Sequence, residues 1–137
     1  PDILEALGDM FASKIPPDTT RLAGAELGGI PLVTTASMAS GIPCIFIRNQ
    51  KKEYGTANQL EGKLDPGDRV VIVEDVATSG GQVLEAAETI QEVGASVVSI
   101  IAVIDRCEGA RENIESAGFV FDALFTTADL GIEEVSS

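Results

Sequence analysis

Two adjacent acidic residues followed by a run of small residues form the chemistry-bearing part of this sequence, VVIVEDVATSGGQ at residues 70–82. Four apolar residues lead into Glu74 and Asp75, whose carboxylates are suited to accept hydrogen bonds from vicinal hydroxyls. Thr78, Ser79 and two glycines follow where a helical pattern begins, so hydroxyls and backbone N–H groups are available to a phosphate. The segment therefore predicts a site for a sugar that carries a terminal phosphate.

Each half of this segment also has a simpler structural explanation. Asp75 alone could be a turn residue, and the string Thr-Ser-Gly-Gly alone could cap a helix without binding a ligand. The two halves together, directly after an apolar strand, favour the binding site. No Gly-Lys-Ser/Thr follows, so the segment is not a Walker-type phosphate loop.

The elements that must position this segment alternate between apolar strands and helices rich in Ala, Glu and Leu. This alternation predicts an α/β fold, a parallel sheet covered by helices on both faces. The predicted elements are helix 3–11, strand 20–25, helix 31–38 starting from Gly28-Gly29, strand 43–47, strand 69–74, helix 81–93, strand 97–104, helix 108–117 and strand 119–125. Ligands bind at the carboxyl ends of parallel strands, which directs attention to Arg48, Glu74 and Asp105 onward. Residues 49–66 are predicted to be a long polar loop of the kind that serves as a lid.

The composition disfavours several classes of site and partner. The chain has no His, which excludes a His-based triad, a His-ligated metal and a histidine proton shuttle. Cys44 lies in an apolar run and is interpreted as buried, and Cys107 has no activating neighbour in sequence. A net charge of −13 argues against a nucleic-acid surface, and no apolar run is long enough for a membrane span. No signal peptide is recognisable, so a cytoplasmic location is expected.

Residues 70–82 resemble the signature with which type I phosphoribosyltransferases bind 5-phosphoribosyl 1-diphosphate (PRPP). Three further segments resemble the orotate phosphoribosyltransferases in particular. They are the pyrophosphate-side loop AELGGIPL at 25–32, the strand and mobile loop FIRNQKKEYG at 46–55, and the Asp-Arg segment IDRCEGARE at 104–112. The tail TTADLGI at 126–132 is also similar, so the resemblance covers most of the chain from about Leu22. It implies the type I phosphoribosyltransferase fold, with a central parallel β-sheet flanked by helices and a long mobile loop.

For PRPP, the resemblance implies catalytic roles for four residues. Glu74 and Asp75 would hold the 2- and 3-hydroxyls of the ribose, and Arg48 and Lys52 would stabilise the leaving pyrophosphate. The residues that would wrap the 5-phosphate are Val76, Ala77, Thr78, Ser79, Gly80, Gly81 and Gln82. By themselves, two adjacent lysines at 51 and 52 could also be a solvated charge pair of a loop.

For the second substrate, the resemblance implies orotate, bound by Thr78 and Arg106. A guanidinium pairs well with a planar carboxylate, although Asp105-Arg106 could also be a local ion pair. The implied reaction gives orotidine 5-monophosphate and pyrophosphate in pyrimidine biosynthesis, with Mg²⁺ bound through PRPP. The implied assembly is a homodimer of one phosphoribosyltransferase domain, residues 1–137, in which the amino-terminal region that covers the base is short or absent.

Some positions depart from the family pattern. The family often has a basic residue where this chain has Gly28, Asn49 and Tyr54, an Asp where it has Glu74, and a Thr where it has Gly81. The missing cations leave open a regulator that senses PRPP or nucleotides without catalysis. A purine or uracil phosphoribosyltransferase of the same fold is the nearer alternative.

Overall fold

A computed structural model describes residues 2–52 and 55–131, and for residues 49–52 and 55–58 it describes the backbone alone. The elements are α1 (Asp2–Lys14), β1 (Arg21–Ala25), α2 (Gly29–Ser40), β2 (Cys44–Lys52), β3 (Gly55–Glu61), β4 (Arg69–Ala77), α3 (Gly81–Val93), β5 (Ser96–Asp105), α4 (Ala110–Ser116) and β6 (Phe121–Thr126). The strands form one sheet in the order β3-β2-β1-β4-β5-β6. All neighbouring strands are parallel except the antiparallel pair β2–β3. The predicted α/β class with a central parallel sheet is confirmed, and β3 adds an antiparallel edge strand that was not predicted.

Each face of the sheet has its own hydrophobic cluster and its own pair of helices. Along β4, Val70 and Ile72 pack into the cluster that includes α3 and α4, whereas Val71 and Val73 pack into the cluster that includes α1 and α2. This alternation follows from the two-residue period of a strand. Burial on both faces explains why the central strands appear in the sequence as continuous apolar runs. No helix in the described part of the chain is long and apolar enough to cross a membrane.

The predicted long loop at residues 49–66 is wrong, because most of this stretch forms a β-hairpin. Strand β2 continues to Lys52 and pairs with β3. Its apolar part pairs with β1 only as far as Ile47, which lies opposite Ala25. Beyond that point β2 has β3 as its only strand neighbour among the described residues. Because this outer half of the hairpin is not covered by a further described strand, its sequence is polar and lacks the apolar pattern by which a strand is recognised.

Some other predicted boundaries and burial assignments also differ. Strand β4 was expected to end at Glu74 but continues to Ala77, so the acidic pair lies inside the strand rather than after it. Helix α1 extends past Phe11 to Lys14, and α4 is confined to 110–116 instead of 108–117. Cys44 is only partly buried, because it packs at the border of the α1–α2 cluster.

Candidate active site

The carboxyl ends of the parallel strands bring several of the predicted site segments together. The end of β4 lies beside the end of β5, where Ala77 is opposite Asp105. The Glu26 N–H donates to the carbonyl of Ile47 (2.9 Å), which joins the turn after β1 to β2 just before Arg48. The turn between β1 and α2 also reaches the acidic pair, because Gly28 lies against Asp75. Three loops therefore converge on one edge of the sheet.

The loop between β4 and α3 surrounds a cavity of about 90 Å³. Its lining consists of Glu74, Val76, Ala77, Thr78, Ser79, Gly80, Gly81, Gln82, Val83, Ile100 and Phe121. The lining thus includes every residue predicted to wrap the phosphate, together with the first of the two acids. We call residues 76–82 the phosphate loop from here on.

The conformation of the phosphate loop depends on Gly80. This residue precedes α3 with φ 87° and ψ 2°, a left-handed conformation that favours glycine. A Cβ at Gly80 would also press against Ile114 of α4. The first turn of α3 contains no acidic residue, so the positive end of the helix dipole is not neutralised there, although the Gly81 N–H donates a long hydrogen bond to Ser79 Oγ (3.4 Å). This geometry suits a bound anion.

The Glu74 side chain is unusual because it is an acid with an elevated pKa beside the cavity. Burial, reinforced by the neighbouring Asp75 carboxylate, raises the pKa of Glu74 to about 8. The Asp75 N–H donates to Glu74 Oε1 (2.9 Å) and lowers this pKa in part. The Glu74 carboxyl is therefore mostly protonated at neutral pH and can both donate and accept a hydrogen bond.

Asp75 lies against the turn that precedes α2. Its Oδ1 accepts a hydrogen bond from the Val76 N–H (2.7 Å). A Cβ at Gly28 would collide with the Asp75 carboxylate, although Gly28 itself has an ordinary φ of −66°. Space, not backbone conformation, therefore favours glycine here while the Asp75 carboxylate keeps this position. In the same turn, the peptide bond between Glu26 and Leu27 is cis.

The turn after β5 places Arg106 beside the phosphate loop. The Arg106 N–H donates to the carbonyl of Ala77 (3.1 Å), and the Arg106 guanidinium forms an ion pair with Glu108 (3.1 Å). The buried Asp105 accepts a hydrogen bond from the Cys107 N–H (2.9 Å), and Cys107 has a positive φ of 60°. The predicted base-binding guanidinium is thus held at the same edge of the sheet as the cavity.

Arg48 lies just after the parallel part of β2, on the hairpin. Its guanidinium forms an ion pair with Glu61 of β3 (3.0 Å), and both side chains are about half exposed, 51% and 45%. The side chains of Lys52 and Asn49 lie outside the described part of the structure, as do Tyr54 and Ile132. The backbone register places Lys52 opposite Gly55, at the end of the hairpin far from the sheet centre.

Three residues that contact this site were not recognised from the sequence. Glu61 holds Arg48, Glu108 holds Arg106, and the Asn113 side chain donates to the carbonyl of Ser79 (2.8 Å). Asn113 is 34 positions from Ser79, and Glu61 faces Arg48 across a hairpin that the sequence did not indicate, so no local pattern could have predicted these contacts. Glu108 is two residues from Arg106, and its charge was the only available signal.

The acids at this edge suit a divalent cation that also binds a substrate. Among the described residues, no group of three or more His, Cys, Asp or Glu side chains could hold a metal ion. Mg²⁺ is commonly bound by one or two carboxylates together with phosphate oxygens of a ligand. Asp75 fits that arrangement, Glu74 does so once it has lost its proton, and a ligand supplies the remaining oxygens.

The chain is similar to several known proteins. Residues 9–135 match a family model described as a phosphoribosyl transferase domain. An orotate phosphoribosyltransferase of Halobacterium salinarum is 45% identical over 130 residues, which are 95% of this chain and 74% of that protein. The structure of Mycobacterium tuberculosis orotate phosphoribosyltransferase in complex with PRPP has a TM-score of 0.74 and 32% identity, covering 94% of this chain and 74% of that one. Adenine phosphoribosyltransferase of Leishmania donovani shares the fold, with a TM-score of 0.78, 21% identity, and coverage of 94% and 66%.

Proposed function

Because the chain belongs to the phosphoribosyltransferase family and, within it, to the orotate phosphoribosyltransferases, we propose that it transfers ribose 5-phosphate from PRPP to orotate. The products are orotidine 5-monophosphate and pyrophosphate, in pyrimidine biosynthesis. One observation carries this proposal: the phosphate-loop cavity, the acidic pair and Arg106 lie at one edge of the sheet. This arrangement supports a site for a phosphorylated sugar next to a site for an anionic base.

PRPP binds with its 5-phosphate in the phosphate loop, where the backbone N–H groups and the start of α3 stabilise the anion. Glu74 and Asp75 hold the ribose hydroxyls. In its protonated form, Glu74 donates one hydrogen bond to a hydroxyl and accepts another. These contacts fix the anomeric carbon relative to the incoming base, and such positioning supplies a large part of the rate.

The leaving pyrophosphate is stabilised by Arg48 and Lys52 on the β2–β3 hairpin. Displacement at the anomeric carbon builds up negative charge on the pyrophosphate and positive charge in the sugar ring. Cations placed at the leaving group lower the barrier, and they act most strongly where water is excluded. We propose that the hairpin closes over the site as a lid when PRPP is bound.

Orotate is bound by Arg106 and Thr78. Arg106 pairs with the orotate carboxylate through its guanidinium, which the Glu108 ion pair orients. Thr78, which lines the phosphate-loop cavity, is the second proposed contact to the base. This recognition of a carboxylate distinguishes orotate from purines and uracil.

Mg²⁺ is the proposed cofactor. Bound through PRPP beside Asp75 and Glu74, it would neutralise charge on the leaving group. We further propose a homodimer of one phosphoribosyltransferase domain in the cytoplasm, with no nucleic-acid or membrane partner.

A second candidate is a PRPP-sensing regulator without catalysis. Gly28 favours this candidate. The Asp75 carboxylate occupies the space where a side chain at position 28 would lie, so a basic residue could be held there only if Asp75 moved. Such a regulator would bind PRPP and leave orotate unchanged.

The experiment that separates the two follows orotate by its ultraviolet absorbance, with PRPP and Mg²⁺ each omitted in turn. We expect orotate to disappear only when both are present, and adenine and uracil not to compete. PRPP binding without any loss of orotate would favour the regulator, and consumption of adenine or uracil instead would favour another member of the fold.

A further inference from the structure

The side chain of Asn113 holds one peptide of the phosphate loop from outside the cavity. Its Nδ2 donates to the carbonyl of Ser79 (2.8 Å), across 34 positions of sequence. Asn113 lies on α4, is exposed, and does not line the cavity. Its contact therefore bears on the loop and not directly on a ligand.

Fixing the Ser79 carbonyl also fixes the next N–H group. The Ser79–Gly80 peptide is planar and trans, so its C=O and N–H point in opposite directions. The carbonyl points to α4, and the Gly80 N–H therefore points away from α4. Gly80 itself lines the cavity. From this geometry we propose that Asn113 is a positioning residue, which directs the Gly80 N–H at the substrate's 5-phosphate.

The preceding part of the loop is held in the same way. The Arg106 N–H donates to the carbonyl of Ala77 (3.1 Å), which fixes the Ala77–Thr78 peptide and directs the Thr78 N–H away from the β5–α4 turn. Thr78 also lines the cavity. Two alternate peptides of the loop are thus oriented by one segment, residues 106–113, and only Asn113 does so with a side chain that mutation can change.

An orienting role of Asn113 predicts a different result from a purely structural contact: its loss should lower phosphate affinity more than stability. Gly80 has access to a wide range of backbone conformations, so the peptide before it can rotate when its carbonyl loses a fixed partner. Because the Asn113 contact is exposed, water can replace it, and the folded state should lose little. The loss should appear in the affinity for phosphate, because an anion needs the N–H in one direction.

The test uses four variants of the whole chain and calorimetric titration with inorganic phosphate and with PRPP. Asn113→Ala removes the donor, and Asn113→Asp replaces it with a group that cannot donate when ionised. Ser116→Ala and Ser116→Asp are the control variants, because Ser116 is exposed on the same helix and the two substitutions change the charge there by the same amounts. Thermal unfolding of each variant and the KM for orotate are measured alongside.

We expect Asn113→Ala to weaken phosphate and PRPP binding about fivefold, the net value of one hydrogen bond. Asn113→Asp should weaken both further, beyond any effect of Ser116→Asp, because a carboxylate also repels the Ser79 carbonyl and the phosphate. The KM for orotate should stay close to that of the wild type in both Asn113 variants. Asn113 variants that lose stability but keep phosphate affinity would overturn the inference and show a purely structural contact.

This inference rests on the proposed function, but the titration does not require turnover. A wild type that binds phosphate in an Asn113-dependent way without consuming orotate would support the inference and remove the proposed reaction. Orotate turnover with unchanged phosphate affinity in the Asn113 variants would do the reverse. A wild type that binds neither phosphate nor PRPP would overturn both.

Discussion

The phosphate loop and the β2–β3 hairpin both contribute to the proposed site, but they are held in different ways. The phosphate loop lies between central elements and is bonded to the β5–α4 segment through Ala77 and Ser79. The hairpin continues past the end of β1, and the ion pair between its residues Arg48 and Glu61 is about half exposed. The difference indicates that the two regions have separate roles. The pre-formed phosphate loop binds the substrate, and the projecting hairpin brings cations to the leaving group.

The largest expected effect is on the hairpin. Lys52→Ala should lower kcat about 100-fold while changing the affinity for PRPP only slightly, because charge on the leaving pyrophosphate develops in the transition state. Steady-state kinetics combined with PRPP titration measures both quantities. Lys51→Ala is the control, since it removes the same charge from the neighbouring position. An equal loss in turnover and in PRPP affinity would remove the leaving-group role of Lys52.

On the side of the phosphate loop, the partly buried carboxyl of Glu74 should make the free energy of unfolding depend on pH. The pKa of Glu74 is raised from 4.5 to about 8, so between these values the folded state binds more protons than the unfolded state. The free energy of unfolding should therefore fall as pH rises through this window, by at most about 1.4 kcal/mol per pH unit. Below the window this contribution is fully present.

Urea unfolding at several pH values measures this slope, and Glu74→Gln should flatten it. Asp68 serves as an internal contrast, because hydrogen bonds lower its pKa and its contribution is lost only as pH falls below its usual range. A slope that is the same in wild type and Glu74→Gln would show that Glu74 is already ionised in the free protein.

Substitution of Gly80 should affect both stability and binding. Gly80→Ala forces a left-handed conformation on a residue with a Cβ, at a cost of about 1–2 kcal/mol, and presses on Ile114. Phosphate affinity should fall about tenfold if one loop N–H is displaced. Gly41→Ala is the matched control, since Gly41 is also left-handed (φ 77°) with no atom in the way of a Cβ. It should cost similar stability and leave phosphate binding unchanged, and a matching loss of affinity in both variants would contradict this interpretation.

The smallest effect is expected at the ion pair of the hairpin. Glu61→Gln should lower turnover less than about threefold and stability by less than about 1 kcal/mol, because exposed ion pairs contribute little. The difference from the wild type should disappear in high salt, where such charges are screened. A difference that persists in high salt would show that Glu61 does more than hold Arg48.

The same two regions show what the sequence can and cannot predict. The acidic pair and the phosphate loop are contiguous in sequence and follow a buried strand, so both the strand and the candidate site could be predicted locally. The hairpin was predicted as a loop because its outer half has no apolar face. Contacts such as Asn113–Ser79 and Gly28–Asp75 join distant segments, and only the packed fold brings them together.

The division of work between the loop and the hairpin is tested most directly by a double-mutant cycle of Asn113→Ala and Lys52→Ala, measured as kcat/KM for PRPP. If the loop supplies affinity and the hairpin supplies turnover independently, the two losses should add to within about 0.5 kcal/mol. A double variant no worse than Lys52→Ala alone would show that the two regions act as one unit, and would contradict their separation.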